Sequence, residues 1–164
     1  MAEFYSAQYT SSYISSPRGN VYAPKRPFNL GDFDYTQVAT GTAGDTILLI
    51  KLPQHSTVDM WRSWFEWSGW TSGATLSIGW QAYVDEDGVT QAASAAGLLS
   101  AVSLTADGGW SHGMLVVATP DDSKPVVGRK VFNNRADLTL FATIGAQAPG
   151  AADIFNGSFA VLTA

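Results

Sequence analysis

From about residue 31 onward, apolar side chains recur at every second position, and turn-forming residues fall between the runs. A period of two sends alternate side chains to opposite faces of a strand, so the pattern commits this part of the chain to half-buried β-structure. Thr75 to Val84 is the clearest case, with Leu76, Ile78, Trp80, Ala82 and Val84 on one face and Thr75, Ser77, Gly79, Gln81 and Tyr83 on the other. Leu138, Leu140, Ala142 and Ile144 alternate in the same way with Asp137, Thr139, Phe141 and Thr143. Asp45 to Leu52 is apolar on nearly both faces and reads as a central strand, ended by Pro53, which cannot donate to a ladder. Further strands are expected at about Tyr35 to Thr40, Met114 to Thr119, Val126 to Phe132 and Ile154 to Leu162. Gly41 to Gly44, Ser72-Gly73, Asp87-Gly88, Asp107 to Gly109, Pro120 to Asp122 and Asn133-Asn134 supply the turns between them. Thr90 to Leu104 differs, its alanines and leucines suiting one short helix or a buried connection, although Gly97 weakens the helix. About eight strands so spaced predict an all-β fold, an antiparallel β-sandwich or jelly roll.

Val58 to Trp70 holds Trp61, Trp64, Trp67 and Trp70, four of the six tryptophans, with Phe65 among them. A strand is expected, because a Pro-ended strand precedes the segment and a Gly-containing stretch follows it. Three fates are open to these rings: core filler between sheets, a subunit interface, where Trp is enriched at hot spots, or a sugar-binding platform. Trp67 and Trp70 are taken as the partner-binding pair.

Residues 1–30 follow no such period and are expected to form an extended N-terminal interaction arm, with residues 31–164 as the body. Pro17, Pro24 and Pro27 interrupt any ladder, and no apolar stripe exists for a helix to bury. The arm nevertheless carries Phe4, Tyr5, Tyr9, Tyr13, Tyr22 and Phe28, rings that gain most when laid on another surface. Arg18, Lys25 and Arg26 against Glu3 make it about +2, while six basic and thirteen acidic residues make the body about −7. Arm and body, or the arms and bodies of different copies, should attract. Tyr5, Tyr9, Tyr13, Arg18, Tyr22, Lys25 and Arg26 are the expected partner contacts.

A chain of 164 residues is one domain by length and needs no staple. The absence of cysteine excludes disulfides and thiolate metal sites and fits assembly in a reducing cytoplasm. A net charge of −5 argues against nucleic acid as a partner. No apolar run reaches the ~20 residues of a membrane span, and no signal peptide opens the chain, so neither a membrane nor export by that route is expected. Gly109-Trp110-Ser111-His112-Gly113 matches G-x-S-x-G, but a strand-like run follows and no later histidine completes a triad. It reads as a loop entering a strand. Asp85 to Gly88 lacks the ligand spacing of a calcium loop and reads as a hairpin tip. Asn156-Gly157-Ser158 fits a glycosylation sequon and, without a secretory signal, marks a turn or bulge. No catalytic, cofactor or metal residue is assigned, and no enzyme is expected.

Several blocks in order carry a family resemblance. A Met-Ala-x-x-Tyr-Ser start and a polar arm precede Gly44-Asp45-Thr46-Ile47, which runs on to Lys51-Leu52-Pro53. Gly73-Ala74-Thr75-Leu76-Ser77-Ile78-Gly79-Trp80 and the hairpin Tyr83 to Gly88 come next. Leu138-Thr139-Leu140 to Ile144-Gly145-Ala146 and a strand closing near Leu162 complete the pattern. This order resembles the head decoration or cement proteins of tailed bacteriophages. The resemblance implies a virion protein on the outer capsid surface, bound to the major capsid protein, with an arm reaching adjacent subunits. It also implies a homo-oligomer, with a trimer favoured because such proteins commonly occupy threefold positions. A tail or neck component, or a carbohydrate-binding module using the Trp cluster, is the alternative.

Overall fold

The computed structural model describes residues 3–6, 29–104, 109–112 and 128–163. Among these residues the chain is all β, with twelve strands and no helix. They are β1 (Glu3–Tyr5), β2 (Asn29–Thr36), β3 (Thr46–Leu52), β4 (Ser56–Ser68), β5 (Thr75–Trp80) and β6 (Tyr83–Val84), then β7 (Thr90–Gln91), β8 (Ser94–Ser103), β9 (Gly109–His112), β10 (Arg129–Val131), β11 (Leu138–Gly145) and β12 (Ile154–Thr163). Eight of the twelve have four residues or more, among them β8 and β9, where the periodicity predicts no strand; β1, β6, β7 and β10 are pieces of two or three residues.

Two sheets hold nearly all of them. Sheet A runs β1-β3-β11-β5-β8, and sheet B runs β10-β4-β12-β2, with β9 also on β4. Every pairing is antiparallel except β1 with β3, which is parallel. β10 pairs with Thr57 to Asp59 and β9 with Trp64 to Trp67, so the two short strands follow one another along the length of β4.

The inner faces of both sheets meet in one core. From sheet A come Leu76, Ile78, Leu138, Leu140, Ala142 and Ile144, all buried as their alternation requires. From sheet B come Phe33, Phe65, Phe155 and Phe159, whose ring centroids lie between 5.1 Å and 6.3 Å apart. Each of the leucine, isoleucine and phenylalanine side chains contributes about 1.5 to 3 kcal/mol by leaving water, so the alternating residues are also the energetic centre of the fold.

Several expectations need correction. β5 ends at Trp80, because the chain then leaves sheet A as the β6–β7 hairpin: Tyr83 turns its ring onto Phe132 at 5.9 Å, and Ala82 and Val84 are exposed. Thr90 to Leu104 is neither helix nor connection but β7 and β8. β3 is not the middle strand, since only β1 lies beyond it; its long apolar run arises because an extra residue at Leu49 turns Leu49 and Ile50 both into the core. Asn156-Gly157-Ser158 is mid-strand, not a turn, although the register with β4 breaks just beyond Ser158. Finally, the strand expected at Tyr35 to Thr40 is β2, which begins at Asn29 and ends at Thr36, and Glu3 to Tyr5, read as part of the arm, pair in sheet A. The expected strand at Met114 to Thr119 lies outside the described residues.

Candidate interaction surface

β4 decides which tryptophans are available to a partner. Val58 and Met60 point into the core, and so do Ser63, Phe65 and Trp67, which puts the second group one residue out of phase with the first. The ladder shows why: between Ser158 and Ala160 β12 advances two residues, while β4 advances five, from Trp64 to Asp59. A bulge of this kind leaves backbone groups unpaired and re-aims side chains. Side chains repair the first effect. Asp59 accepts the Trp61 N–H at 3.1 Å; the Ser63 hydroxyl donates to the Asp59 carbonyl at 2.8 Å and accepts the Ala160 N–H at 3.1 Å. Asp59, itself buried, is also paired with the exposed Arg129 at 3.1 Å.

The second effect makes the surface. Trp61 is thrown outward and is 47% exposed, Arg62 beside it is exposed, and Trp64 is 39% exposed. The Trp61 ring lies against Gly128, where a Cβ would sit 1.9 Å from the indole Nε1 and where the φ of +91° also favours glycine. Val131, 59% exposed, follows on β10 along the same edge of β4. Two indoles, a valine and two guanidiniums therefore line one part of sheet B.

The partner-binding role expected of Trp67 and Trp70 is corrected by their burial. Trp70 is 0% exposed and its indole N–H donates to the Ile154 carbonyl at 2.7 Å; Trp67 is 9% exposed and packs in the core. Alternation resumes after the bulge, so Trp67 shares the inward face of Phe65. Of the four tryptophans in this segment, Trp61 and Trp64 are the rings that face solvent, and the sequence signal for them is weak: Asp59 and Ser63 are polar residues turned inward in a strand that also carries Arg62 and Glu66 outward. Of the other expected contacts, Tyr5 lies in β1, whereas Tyr9, Tyr13, Arg18, Tyr22, Lys25 and Arg26 lie outside the described residues.

Ser111 and His112 form part of β9, paired with Phe65 and Trp64, so the serine stands in a strand ladder, where a nucleophile elbow would need a strand-to-helix turn. Asp85 anchors its hairpin by accepting the Gln91 side-chain amide at 2.6 Å and the Val89 N–H at 2.8 Å, and these two bonds hold its carboxyl below the usual range. At the far end of β2, Tyr35 donates to the Gln37 side chain; burial, then the nearby Asp45 and Asp153, push its hydroxyl pKa up. Asp45 and Asp153 cap their own turns, accepting the N–H groups of Thr42 and Gly150 at 2.7 Å each. Among the described residues no group of three or more His, Asp or Glu is placed to hold a metal ion. On the outer face of sheet A a groove of about 280 Å³ is lined by Glu3, Thr46, Leu48, Phe141 and Thr143.

No protein-family model matches the sequence, and no curated protein does. Comparison with solved structures finds two chains. A chain from the capsid of Ralstonia phage GP4 superposes with a TM-score of 0.59 at 16% identity, covering 99% of each chain. A chain from the cyanophage Pam1 capsid asymmetric unit gives a TM-score of 0.48 at 15% identity, over 84% of this chain and 87% of that one. The β-sandwich described above is thus a fold that the capsid of a bacteriophage also contains.

Proposed function

We propose that this chain is a virion structural protein that decorates and cements a bacteriophage head, bridging neighbouring capsid subunits as a homo-oligomer. The observation that carries the reading is the fold likeness to a chain of the Ralstonia phage GP4 capsid, which covers 99% of each chain. The ordered sequence pattern supports the same class independently. Trp61 and Trp64, flanked by Arg62 and Arg129, are the proposed contact on sheet B, since aromatic and Arg side chains concentrate binding energy at interfaces. The basic arm residues Arg18, Lys25 and Arg26, with Tyr9, Tyr13 and Tyr22, are the proposed second contact. Engaging several subunits at once turns modest individual contacts into a large combined affinity.

The reading assigns the protein to the outside of the capsid, with no catalytic step and no cofactor. The carbohydrate-binding alternative would now have to use Trp61 and Trp64, because Trp67 and Trp70 are buried. Purified heads, incubated with the protein and pelleted, should carry it in a large fixed copy number. Tails should not. Binding to tails alone, or to glycans with loss on Trp64→Ala, would replace the proposal.

A further inference from the structure

The edge of sheet A is closed by a segment that the chain could equally offer to a neighbour, and we infer that in the assembled oligomer residues 3–6 of one protomer pair with β3 of the next. β1 is three residues long, lies parallel to β3, and pairs Glu3 with Thr46, Phe4 with Ile47 and Tyr5 with Leu48. Ser6 completes the contact, its N–H donating to the Leu48 carbonyl at 2.9 Å and its hydroxyl to the Leu49 carbonyl at 2.6 Å, fully buried. Phe4 packs its ring 6.3 Å from Tyr35. These contacts specify where the segment binds, yet a strand this short opens readily.

The tether is far longer than the closure needs. Ser6 is held at Leu48 and Leu49, and Gly31, two residues into β2, lies against the Ile50 side chain, so both ends of the connection sit at one place in the sandwich. Twenty-two residues, 7 to 28, join them. Extended, they span about 75 Å, while two packed sheets are separated by only about 10 Å. A tether of that length delivers the same strand to a neighbour's β3 with the same hydrogen bonds, and the added cost of a longer loop grows only slowly with its length. Without β1, β3 presents an unpaired edge, which extended segments of other chains complete by β-augmentation. The occupant is a second copy of this chain, because this chain's own residues are the ones shown to fit.

The inference rests on the homo-oligomeric part of the proposed function and not on attachment to a head. The protein has no cysteine, so register partners can be labelled cleanly. Glu3→Cys and Thr46→Cys variants, carrying tags of different length, are co-expressed and oxidised, alongside the double variant in one chain. Exchange predicts a mixed disulfide between the two singly substituted chains as the main linked species, and a covalent ladder from the double variant. Linkage confined to single chains of an intact oligomer overturns exchange alone. A monomeric parent protein at micromolar concentration overturns the homo-oligomer as well. As a check free of cysteine geometry, deleting residues 1–6 should leave a β-rich body and convert the oligomer to monomer in light scattering; an unchanged oligomer overturns the inference.

Discussion

Trp61 and Trp70 differ in environment far more than nine positions of sequence suggest, and the difference is measurable. Trp70 is fully buried and supplies the donor for the Ile154 carbonyl. Trp70→Ala should therefore cost about 3 to 5 kcal/mol in denaturant unfolding, the range for removing a large buried ring. Trp61→Ala, with half its ring in water, should cost well under half of that and weaken head binding instead. Equal losses of stability would place Trp61 in the core. Gly157 is constrained from the opposite direction: a Cβ there would lie 2.6 Å from the Trp64 carbonyl oxygen and 2.8 Å from the rings of Phe33 and Phe65. Gly157→Ala should lose about 1 to 3 kcal/mol, as overpacked cores do. Asp153 adds a pH dependence. Burial raises its carboxyl pKa above 3.8, against the lowering effect of the Gly150 N–H. A raised folded pKa means that the native state binds the proton more tightly, so Asp153 lowers stability as pH rises from about 3.8 through the folded value. Asp153→Asn keeps an oxygen for Gly150 and removes the charge. It should melt above the parent at pH 7, with the gap closing towards pH 3, whereas a gap independent of pH would show that ionisation of Asp153 is irrelevant.

Elements whose alternation runs unbroken are legible in the sequence alone. Leu138 to Ile144 and Leu76 to Trp80 face the core as read, because in a regular ladder the side-chain direction follows from position alone. Where the ladder carries an extra residue the rule loses phase. β4 is the clearest instance: strict alternation would put Trp61 and Trp67 on one face, and the bulge turns Trp61 outward while Trp67 points into the core. β8 escapes the sequence pattern for another reason. Its run of alanine, serine and glycine has helical or neutral propensity, and what selects a strand is the neighbour it must admit. A Cβ on Gly97 would lie 2.0 Å from the Trp80 ring, and one on Gly79 would lie 1.7 Å from the Ser94 carbonyl oxygen. Small residues are thus the complement of Trp80, a tertiary fact absent from the local pattern. Gly97→Val should separate β8 from β5 and lower the melting temperature sharply, whereas Ser100→Val, at an exposed position of the same strand, should not. Equal effects would mean that the Trp80 contact does not hold the edge of sheet A.

At the scale of the whole molecule, the sequence divides the chain into a body and a free N-terminal arm, and the placement of residues 3–6 changes what that arm can do. A free tail of 30 residues can reach at most about 100 Å, but a connection held at Ser6 and again near Gly31 can extend from the body by no more than about half of its 75 Å contour when its own β1 is docked. Freeing β1 for a neighbour restores the longer reach. The two functions of the connection, tether and contact, can be separated with two variants. Replacing residues 8–27 by a short Gly-Ser linker retains β1, β2 and every described core residue, so the body should stay folded and melt at or slightly above the parent, since a shorter loop has less closure entropy to lose. It should also fail to oligomerise, because the strand can no longer reach another copy, and bind heads weakly. Arg18→Ala, Lys25→Ala and Arg26→Ala together, at full loop length, should leave oligomers intact and reduce head binding most at low ionic strength, with the deficit shrinking as salt approaches the range where the Debye length falls below about 8 Å. Affinity for heads unchanged in both proteins would leave Trp61 and Trp64 as the attachment site and remove the connection from the mechanism.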